Sequence, residues 1–416
     1  MRDLIMLAAA GACGRAPANE IDDWNSVVHL AAEQNVLPLV ACALAHSPTF
    51  SCPTEIREYL MNALRMQSSL NLLRQQRLFH LMKELRQARI ESKLLKGYSV
   101  ARFYAYPESR DSVDTDIWVE ANREQDTLTF LQGLGFEIQE RGPASHHSVA
   151  QHRKFGKVEI HTTLYDEIVE KVWFQGMDGN EFVCEKPQVI QSADGEFVTL
   201  GTTDQLIFLS LHMIKHFISG GISIRMMLDT ALHFAKNKSV VDADRYWKVL
   251  STLQYSNLVN CIFGIMVASG AFDCEDFPGM CASDTALEEA LLLDLKLGGY
   301  MGAKEATERE MGGMEYNRQL LLKKMHPIQY VAYMLCWKVR GTWIFMFPSF
   351  QKLKQQYRIA RTMPIIAPAI WAYHAAKHVL QKLKSGVLKR QIRNEHSGMS
   401  ECAKERLQLF QKLGML

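Results

Sequence analysis

The stretch that decides the fold is "RDSVDTDIWVE", residues 110–120, in which Asp114 and Asp116 stand one residue apart just before an apolar run. Residues 117–119 of that run, Ile-Trp-Val, are typical of a buried strand. Because side chains on a strand alternate between its two faces, both carboxylates are predicted to point the same way. Two adjacent carboxylates repel each other, and burial adds a desolvation cost. The pair therefore predicts either contact with water or a positive charge between the two acids.

The bulk composition is that of a globular protein. The chain has 416 residues, of which 48% are hydrophobic and 22% are charged, so it has room for two or three packed units. The formal net charge is only +2, and whole-chain electrostatics therefore select no class of partner.

Cysteine usage and the apolar segments bear on location. The nine cysteines are scattered and form no Cys-x-x-Cys pair, which argues against a disulfide framework or a zinc cluster and favours a reducing, cytoplasmic compartment. The opening residues 1–17 are interpreted as a first core helix rather than a signal peptide. The longest apolar stretch, "YVAYMLCWKVRGTWIFMF", contains Lys338 and Arg340, so no transmembrane span is predicted.

Changes of hydrophobic period divide the chain into four regions. Apolar residues spaced by three and four predict helices over residues 1–88 and again over 200–300, where "SGG" marks a helical hairpin. Residues 300–315 are polar and glycine-rich, and we expect a mobile loop there. Residues 316–416 form a basic tail with interleaved aromatic residues.

Residues 89–190 carry the strand signals. "SKLLKG", "VDTDIWVE", "FEIQER", "HHSVAQHR" and "KVEIHTTLY" are predicted strands, and the last two are expected to form a hairpin around Gly156. "GYSVARFYAY" and "NREQDTLTFLQGLG" are predicted helices between them. The expected fold class is α+β: a small mixed-sheet core embedded between N-terminal and C-terminal helical regions, with the 200–300 helices covering its cleft.

A third acid fits the first two. Glu159 lies between Val158 and Ile160 on a predicted strand, so if those two face the core, Glu159 faces the same open side as the aspartates. His161 shares its face. Carboxylates converging in this way suit Mg²⁺ or Mn²⁺, which keep part of their coordination for substrate phosphates. Glu159 is expected either to bind a second metal ion or to act as a base.

The same segment offers groups for phosphate. Lys96 and Gly97 lie where a strand turns into a helix, where glycine allows close backbone approach and the helix start favours anions. Tyr98 follows directly, and Arg110 is a candidate for a bidentate phosphate contact. Phosphoryl transfer depends mainly on positioning and charge neutralisation, which these residues can supply.

The order of these motifs resembles the bacterial family of uncharacterised nucleotidyltransferases, within the DNA polymerase β-like superfamily. The likeness rests on Leu95-Lys96-Gly97, then Tyr106-Pro107, Arg110, Asp114-x-Asp116 and finally Glu159-x-His161. It extends over roughly residues 20–235 and includes a helical segment with His212, His216, Arg225 and Asp229.

The resemblance implies Mg²⁺-dependent transfer of a nucleoside monophosphate from a triphosphate such as ATP. Asp114, Asp116 and Glu159 are then the metal-binding and catalytic residues, and Lys96, Gly97, Tyr98, Arg110 and Arg225 contact the nucleotide. The acceptor stays unknown, and members of the family often lie near surface-polysaccharide genes. His161, His212, His216 and Asp229 are expected to support the site.

The helical histidines and the Arg225–Asp229 pair also have plainer interpretations. His212 and His216 stand four residues apart on one helix face, where neutral cleft-lining imidazoles are favoured over a zinc site because no His-Glu-x-x-His motif is present. Arg225 and Asp229 have the spacing of an ordinary helix ion pair. His147 is expected to face solvent.

The basic tail leaves the function open in part. It is interpretable as a solvated helical surface, as a contact with an anionic membrane at the inner face, or as a binding region for RNA or other nucleic acid. Beside the enzyme, two alternatives therefore stand: an inactive nucleotide-binding scaffold of an envelope polysaccharide system, and a toxin that modifies tRNA.

Overall fold

The structure is a computed structural model that describes residues 1–139, 147–165, 169–174, 177–192, 195–304, 306–324, 370–373 and 399–416. Most of the basic tail, and with it the predicted membrane or RNA contact, lies outside these ranges. None of the helices within them has the length and apolarity to cross a lipid bilayer.

Four helices precede the sheet, as the three- and four-residue spacing predicts. They are α1 Arg2–Cys13, α2 Trp24–Glu33, α3 Leu37–His46 and α4 Thr54–Gln87. Helix α1 is buried along nearly its whole length, which agrees with the interpretation of the opening residues as a core helix. Helix α4 is 34 residues long, and its C-terminal half carries the apolar side chains that pack on the sheet.

The sheet is mixed and has five strands in the order β1-β2-β5-β4-β3. Strand β2 runs parallel to β5, whereas the other neighbouring pairs are antiparallel. The strands are β1 Lys93–Leu94, β2 Asp114–Trp118, β3 Glu137–Gln139, β4 His147–His152 and β5 Gly156–His161. Helices α5 Tyr98–Ala101 and α6 Glu124–Gly133 connect them. The predicted α+β class and the strand signals are thereby confirmed.

The two faces of the sheet have opposite characters. Ile117, Val158 and Ile160 are fully buried and pack against α4 and α6 in a hydrophobic cluster. By the alternation of side chains, Asp116 and Glu159 lie on the other face. One face therefore anchors the sheet and leaves the other to carry polar groups.

A second, two-stranded sheet was not predicted. Strands β6 Gln188–Ser192 and β7 Gly195–Thr199 form an antiparallel pair, and Phe197 adds to the hydrophobic cluster under the main sheet. The Thr199 hydroxyl donates a hydrogen bond of 2.8 Å to the carbonyl of Leu94, which fixes this hairpin beside β1.

Seven later helices of the described ranges contribute to one large hydrophobic cluster together with α1, α2 and α3. They are α7 Thr202–Ser219, α8 Ile224–Lys236, α9 Ala243–Thr252, α10 Ser256–Ala268, α11 Thr285–Gly298, α12 Ala306–Lys324 and α13 Glu401–Lys412. Helices α7 and α8 form the predicted hairpin around Gly220 and Gly221.

The prediction of a mobile loop over residues 300–315 is wrong. A short 3₁₀ helix occupies Tyr300–Gly302, and α12 begins at Ala306. The glycines serve close packing, because a Cβ on Gly313 would overlap the carbonyl oxygen of Ile218. Polar composition misled the prediction because Arg309 is buried in an ion pair with Asp294 at 2.7 Å.

We expect His233 to make the fold sensitive to acid. Burial lowers the pKa of this imidazole to about 4, against the weaker effect of its contact with the Thr202 carbonyl, 2.9 Å from Nε2. In the unfolded chain a histidine titrates near pH ~6.5. Below that pH the unfolded state therefore binds a proton at this position that the folded state does not bind, which favours unfolding. The free energy of unfolding should fall by about 3 kcal/mol from this group as the pH drops from ~6.5 to ~4.

Denaturant unfolding at several pH values measures this contribution. The variant His233→Gln, which keeps a donor for Thr202, should lose less stability on acidification than the parent protein. His46→Gln is the matched control, because His46 at the end of α3 is exposed, and this variant should follow the pH dependence of the parent protein. Parallel curves for the parent and His233→Gln would contradict the assignment.

Candidate active site

The register between β2 and β5 brings the predicted acids together. Asp116 lies directly opposite Glu159 on the parallel neighbouring strand, and Asp114 lies opposite Lys157. On the other side of β5, His147 on β4 lies opposite His161. One polar sheet face therefore collects side chains from three adjacent strands.

Asp116 is the most buried acid of the group, with 2% of the residue exposed. Lys96 Nζ lies 3.0 Å from its Oδ1, and His161 Nε2 lies 3.1 Å from the same atom. Burial alone would raise the pKa of Asp116, but Lys96 and His161 outweigh it and lower that pKa. In return, the carboxylates of Asp116 and Glu159 raise the pKa of His161 against its burial. Of the two alternatives that the sequence left open, contact with water or a positive charge, Asp116 has the positive charge, supplied by the chain itself.

Asp114 has a different environment. It is only partly buried at the start of β2, and burial together with the neighbouring Asp116 charge raises its pKa. The two acids of the Asp-x-Asp pair are therefore pushed in opposite directions, a pattern that often separates the roles of paired carboxylates.

Glu159 is held by three basic side chains. Lys157 donates to its Oε1, while the Nε2 atoms of His161 and His147 each lie 3.7 Å from its Oε2. Burial opposes ionisation, but the contacts with His161 and Lys157 dominate and hold the pKa of Glu159 well below its usual range. Glu159 is consequently an anion at neutral pH.

The donor set fits a divalent metal ion. His147, Glu159 and His161 each offer one ligand atom, and these atoms all lie within 4.8 Å of one another. Asp116 adjoins them through its contact with His161. Carboxylates bind Mg²⁺ and Mn²⁺, whereas the imidazoles add nitrogen donors that suit the transition metals better.

Lys96 and Gly97 lie at the end of β1, as predicted. Gly97 has φ of 68°, and a Cβ there would come within 3.0 Å of Ser112 Oγ, so the turn requires glycine. Helix α5 behind it has only four residues. Beyond Asp116, Lys96 Nζ also reaches to 3.5 Å from His212 Nε2.

Arg110 differs from the phosphate contact expected of it. Its Nε and Nη2 atoms donate to both oxygens of Asp229, at 2.7 and 2.6 Å, and Tyr104 donates its hydroxyl to the same carboxylate at 2.7 Å. The Arg110 side chain is 6% exposed. The bidentate pair that Arg110 forms with Asp229 therefore links the segment before β2 to helix α8.

Arg225 and Asp229 do not form the predicted helix ion pair, because Asp229 is taken by Arg110. Arg225 instead donates a hydrogen bond of 2.8 Å to the carbonyl of Asp111 and one of 2.6 Å to the hydroxyl of Tyr300. Its side chain is 16% exposed and lines a cavity above the carboxylates.

His212 and His216 line the same cavity, with ring centroids 4.6 Å apart. Burial and the charge of Lys96 lower the pKa of His212 well below its usual value and that of His216 to about 3. Both are neutral at physiological pH, which agrees with the cleft-lining interpretation.

Two cavities meet at Lys96–Gly97 and residues 112–114. The first, which we call the carboxylate cavity, has about 380 Å³ and lies between the polar sheet face and helices α7 and α8; Asp114, Asp116 and Glu159 all line it. The second, the basic cavity, has about 390 Å³ and lies between α4 and the β4–β5 turn. Tyr98 lines the basic cavity, not the carboxylate cavity, and its ring packs 5.3 Å from that of Phe79. Tyr98 therefore shares a cavity with Asp114 but not with Asp116 or Glu159, and its contact with the nucleotide stays a prediction.

Three residues of the site were missed or misplaced from the sequence. His147 faces the carboxylates instead of solvent, and Lys157 shares the face of Glu159. Period-two alternation from Glu159 and across the hairpin could have found both. Tyr300 enters the carboxylate cavity from a distant 3₁₀ helix, and no local pattern signals that placement.

Fold and site together define a class of enzyme: a mixed sheet that presents two acids on one strand and a third on its neighbour, beneath covering helices, matches the nucleotidyltransferase pattern that the motifs resemble. The model of the uncharacterised nucleotidyltransferase family matches residues 20–268, and the chain belongs to that family. Comparisons with curated proteins and with solved structures gave no match. The protein is accordingly a transferase with a nucleotide substrate, of a class that generally uses divalent metal ions.

Proposed function

We propose that the protein transfers a nucleoside monophosphate from a nucleoside triphosphate to a hydroxyl or phosphate acceptor in the carboxylate cavity. The observation that carries the proposal is the pairing of Asp116 with Glu159 across parallel strands, which joins the Asp-x-Asp motif to a third acid from a separate segment. The hydrophobic cluster that anchors the sheet lies on the opposite face, so these acids are not part of that packing.

Asp114, Asp116 and Glu159 are the proposed ligands of Mg²⁺ or Mn²⁺, with His161 and His147 beside them. The bound cation would neutralise phosphate charge and lower the pKa of an attacking oxygen. The depressed pKa of Glu159 favours a ligand role over a role as base.

The remaining residues bind or position. Lys96 is mobile enough to leave Asp116 for a phosphate oxygen, since its side chain is 20% exposed and ends on a flexible stem. Gly97 allows the backbone to approach the same phosphate, and Arg225 reaches the cavity from α8. Arg110 and Asp229 are proposed as positioning residues that hold β2 against α8.

Label transfer tests the proposal. Protein is incubated with Mn²⁺ or Mg²⁺, cell extract as a source of acceptor, and each α-labelled nucleoside triphosphate, and pyrophosphate release is followed in parallel. Glu159→Gln should lower the rate at least about a hundredfold, because a neutral amide is a poor ligand in place of the carboxylate.

Glu137→Gln is the control, since Glu137 is an exposed residue on β3 of the same sheet, and it should retain the parent rate. Equal transfer by Glu159→Gln and Glu137→Gln would remove the third acid from the mechanism. Retention of nucleotide binding with no transfer in the parent protein would favour the scaffold alternative.

A further inference from the structure

The basic cavity lies beside the three acids but does not contain them all. Of those acids it touches only Asp114, and it shares Lys96 and Gly97 with the carboxylate cavity. A transferase must bring two substrates to one point. Each cavity, at about 380 and 390 Å³, lies near the lower end of the ~300–1,000 Å³ range for a single small ligand, so neither takes both.

The lining of the basic cavity carries an excess of positive charge. Lys96, Lys157, Arg74 and Arg110 line it, but each already faces an acid: Asp116, Glu159, Asp111 and Asp229 respectively. Arg77, Arg153 and Lys154 also line it, and within the described ranges of the chain none of these three has an ion-pair partner. Glu108 and Asp114 are the acidic residues among the lining side chains.

The turn that carries two of these cations is firmly held. Phe155 stacks on Phe136 and on His80 of α4, with ring centroids 5.6 and 5.8 Å apart. The backbone amides of Lys154 and Phe155 both donate to Nδ1 of His152, at 3.0 and 3.1 Å. A packed scaffold therefore presents Arg153 and Lys154 at the cavity that Arg77 also lines, and the ordering cost of binding an anion there is reduced.

The nucleotide fits the other cavity better. The carboxylate cavity holds all three acids, and Tyr165, Phe208 and Tyr300 line it with aromatic rings suited to a base. The basic cavity is lined by three cations that have no ion-pair partner in the described residues, by Glu108, and by only one of the three acids, Asp114. This positive charge suits an anionic acceptor that binds separately from the nucleotide and places a hydroxyl beside Asp114.

Building on the proposed function, we infer that the basic cavity binds the acceptor, and that this acceptor is a small phosphorylated alcohol such as a sugar phosphate. Its phosphate lies between Arg77, Arg153 and Lys154, and its hydroxyl points toward Asp114. That hydroxyl oxygen bonds to the α-phosphorus as the bond to the bridging oxygen breaks. Pyrophosphate leaves with the electron pair, and the hydroxyl proton passes to water.

Binding of defined probes tests the inference without requiring turnover. Inorganic phosphate and glycerol phosphate, with glycerol as the uncharged comparison, are titrated against the full chain by calorimetry. The double variant Arg77→Gln, Arg153→Gln should bind both phosphates at least about tenfold more weakly than the parent protein. Lys83→Gln, an exposed cation of α4 outside the cavity, should bind them like the parent.

A second titration separates the two sites. In the parent protein, a saturating non-hydrolysable ATP analogue with Mn²⁺ should not displace glycerol phosphate, because the two ligands occupy different cavities, and this result does not depend on turnover. Unchanged phosphate affinity in the double variant, with a folded-state melting profile like that of the parent, overturns the inference. So does a double variant that loses affinity for a non-hydrolysable ATP analogue with Mn²⁺ instead, or arginine-dependent binding of single-stranded RNA or anionic vesicles that exceeds binding of the small phosphates.

Discussion

Replacing Asp116 with asparagine is expected to abolish nucleotidyl transfer, with a loss of about a thousandfold or more, equivalent to roughly 4 kcal/mol of transition-state stabilisation. Asp116 is the most buried of the three acids, and both Lys96 and His161 are directed at its Oδ1. Asparagine keeps the shape and removes the charge, which leaves Lys96 and His161 facing a neutral group. Initial rates of label transfer and of pyrophosphate release measure the effect.

The matched control is Asp126→Asn, the same substitution at an α6 residue whose side chain is 60% exposed. It should transfer at the parent rate. Circular dichroism and melting curves establish that both variants are folded, so that a loss of rate is not a loss of structure. If Asp116→Asn kept more than about a tenth of the parent activity, charge at this position would not be essential.

Replacing Asp294 with asparagine should produce the largest loss of stability, about 3–5 kcal/mol in the free energy of unfolding. Asp294 on α11 accepts hydrogen bonds from Arg309 of α12 at 2.7 Å and from Arg406 of α13 at 2.6 Å. All three side chains are less than a tenth exposed. Without the carboxylate, two guanidinium groups lie buried with no counter-charge, and removing one partner of a buried ion group is far costlier than never having the group.

Denaturant titration measures this loss, with Glu289→Gln as the control on the same helix. Glu289 pairs with Arg2, but both side chains are about half exposed, so its removal should cost less than about 1 kcal/mol. Replacing all three buried residues with apolar ones of similar size should cost less than Asp294→Asn. A cost below about 1 kcal/mol for Asp294→Asn would show that the arginines find other partners.

The features that the sequence predicted well are local ones. The facing of Asp114, Asp116 and Glu159 follows from period-two alternation on two short strands, and the burial of Ile117 and Ile160 on the opposite face gives that alternation its direction. The resemblance to the family added the order of motifs and is confirmed by the match over residues 20–268. Strand order and the parallel β2–β5 pairing were open, because register between separate segments depends on tertiary packing.

The features that the sequence missed depend on distant partners. Arg110 was assigned to phosphate because nothing near it signals Asp229, which approaches only when α8 packs against the segment before β2. Likewise, residues 300–315 lack a hydrophobic period, and their helix is stabilised by the buried Arg309 and by close contact of Gly313 with α7. A buried charged residue can be predicted from sequence only when its ion-pair partner is also known.

Helix α1 has a practical consequence for anyone who divides this protein. It ends before the range that the family model covers, yet its side chains from Leu4 to Ala12 are buried within the large hydrophobic cluster. Helix α13, beyond the other limit of that range, supplies Arg406 to the ion group around Asp294. A fragment of residues 20–268 would lack both helices, which would expose the hydrophobic residues that they cover and promote aggregation. The boundaries of expression fragments should therefore follow the packing of the helices and not the limits of the family match.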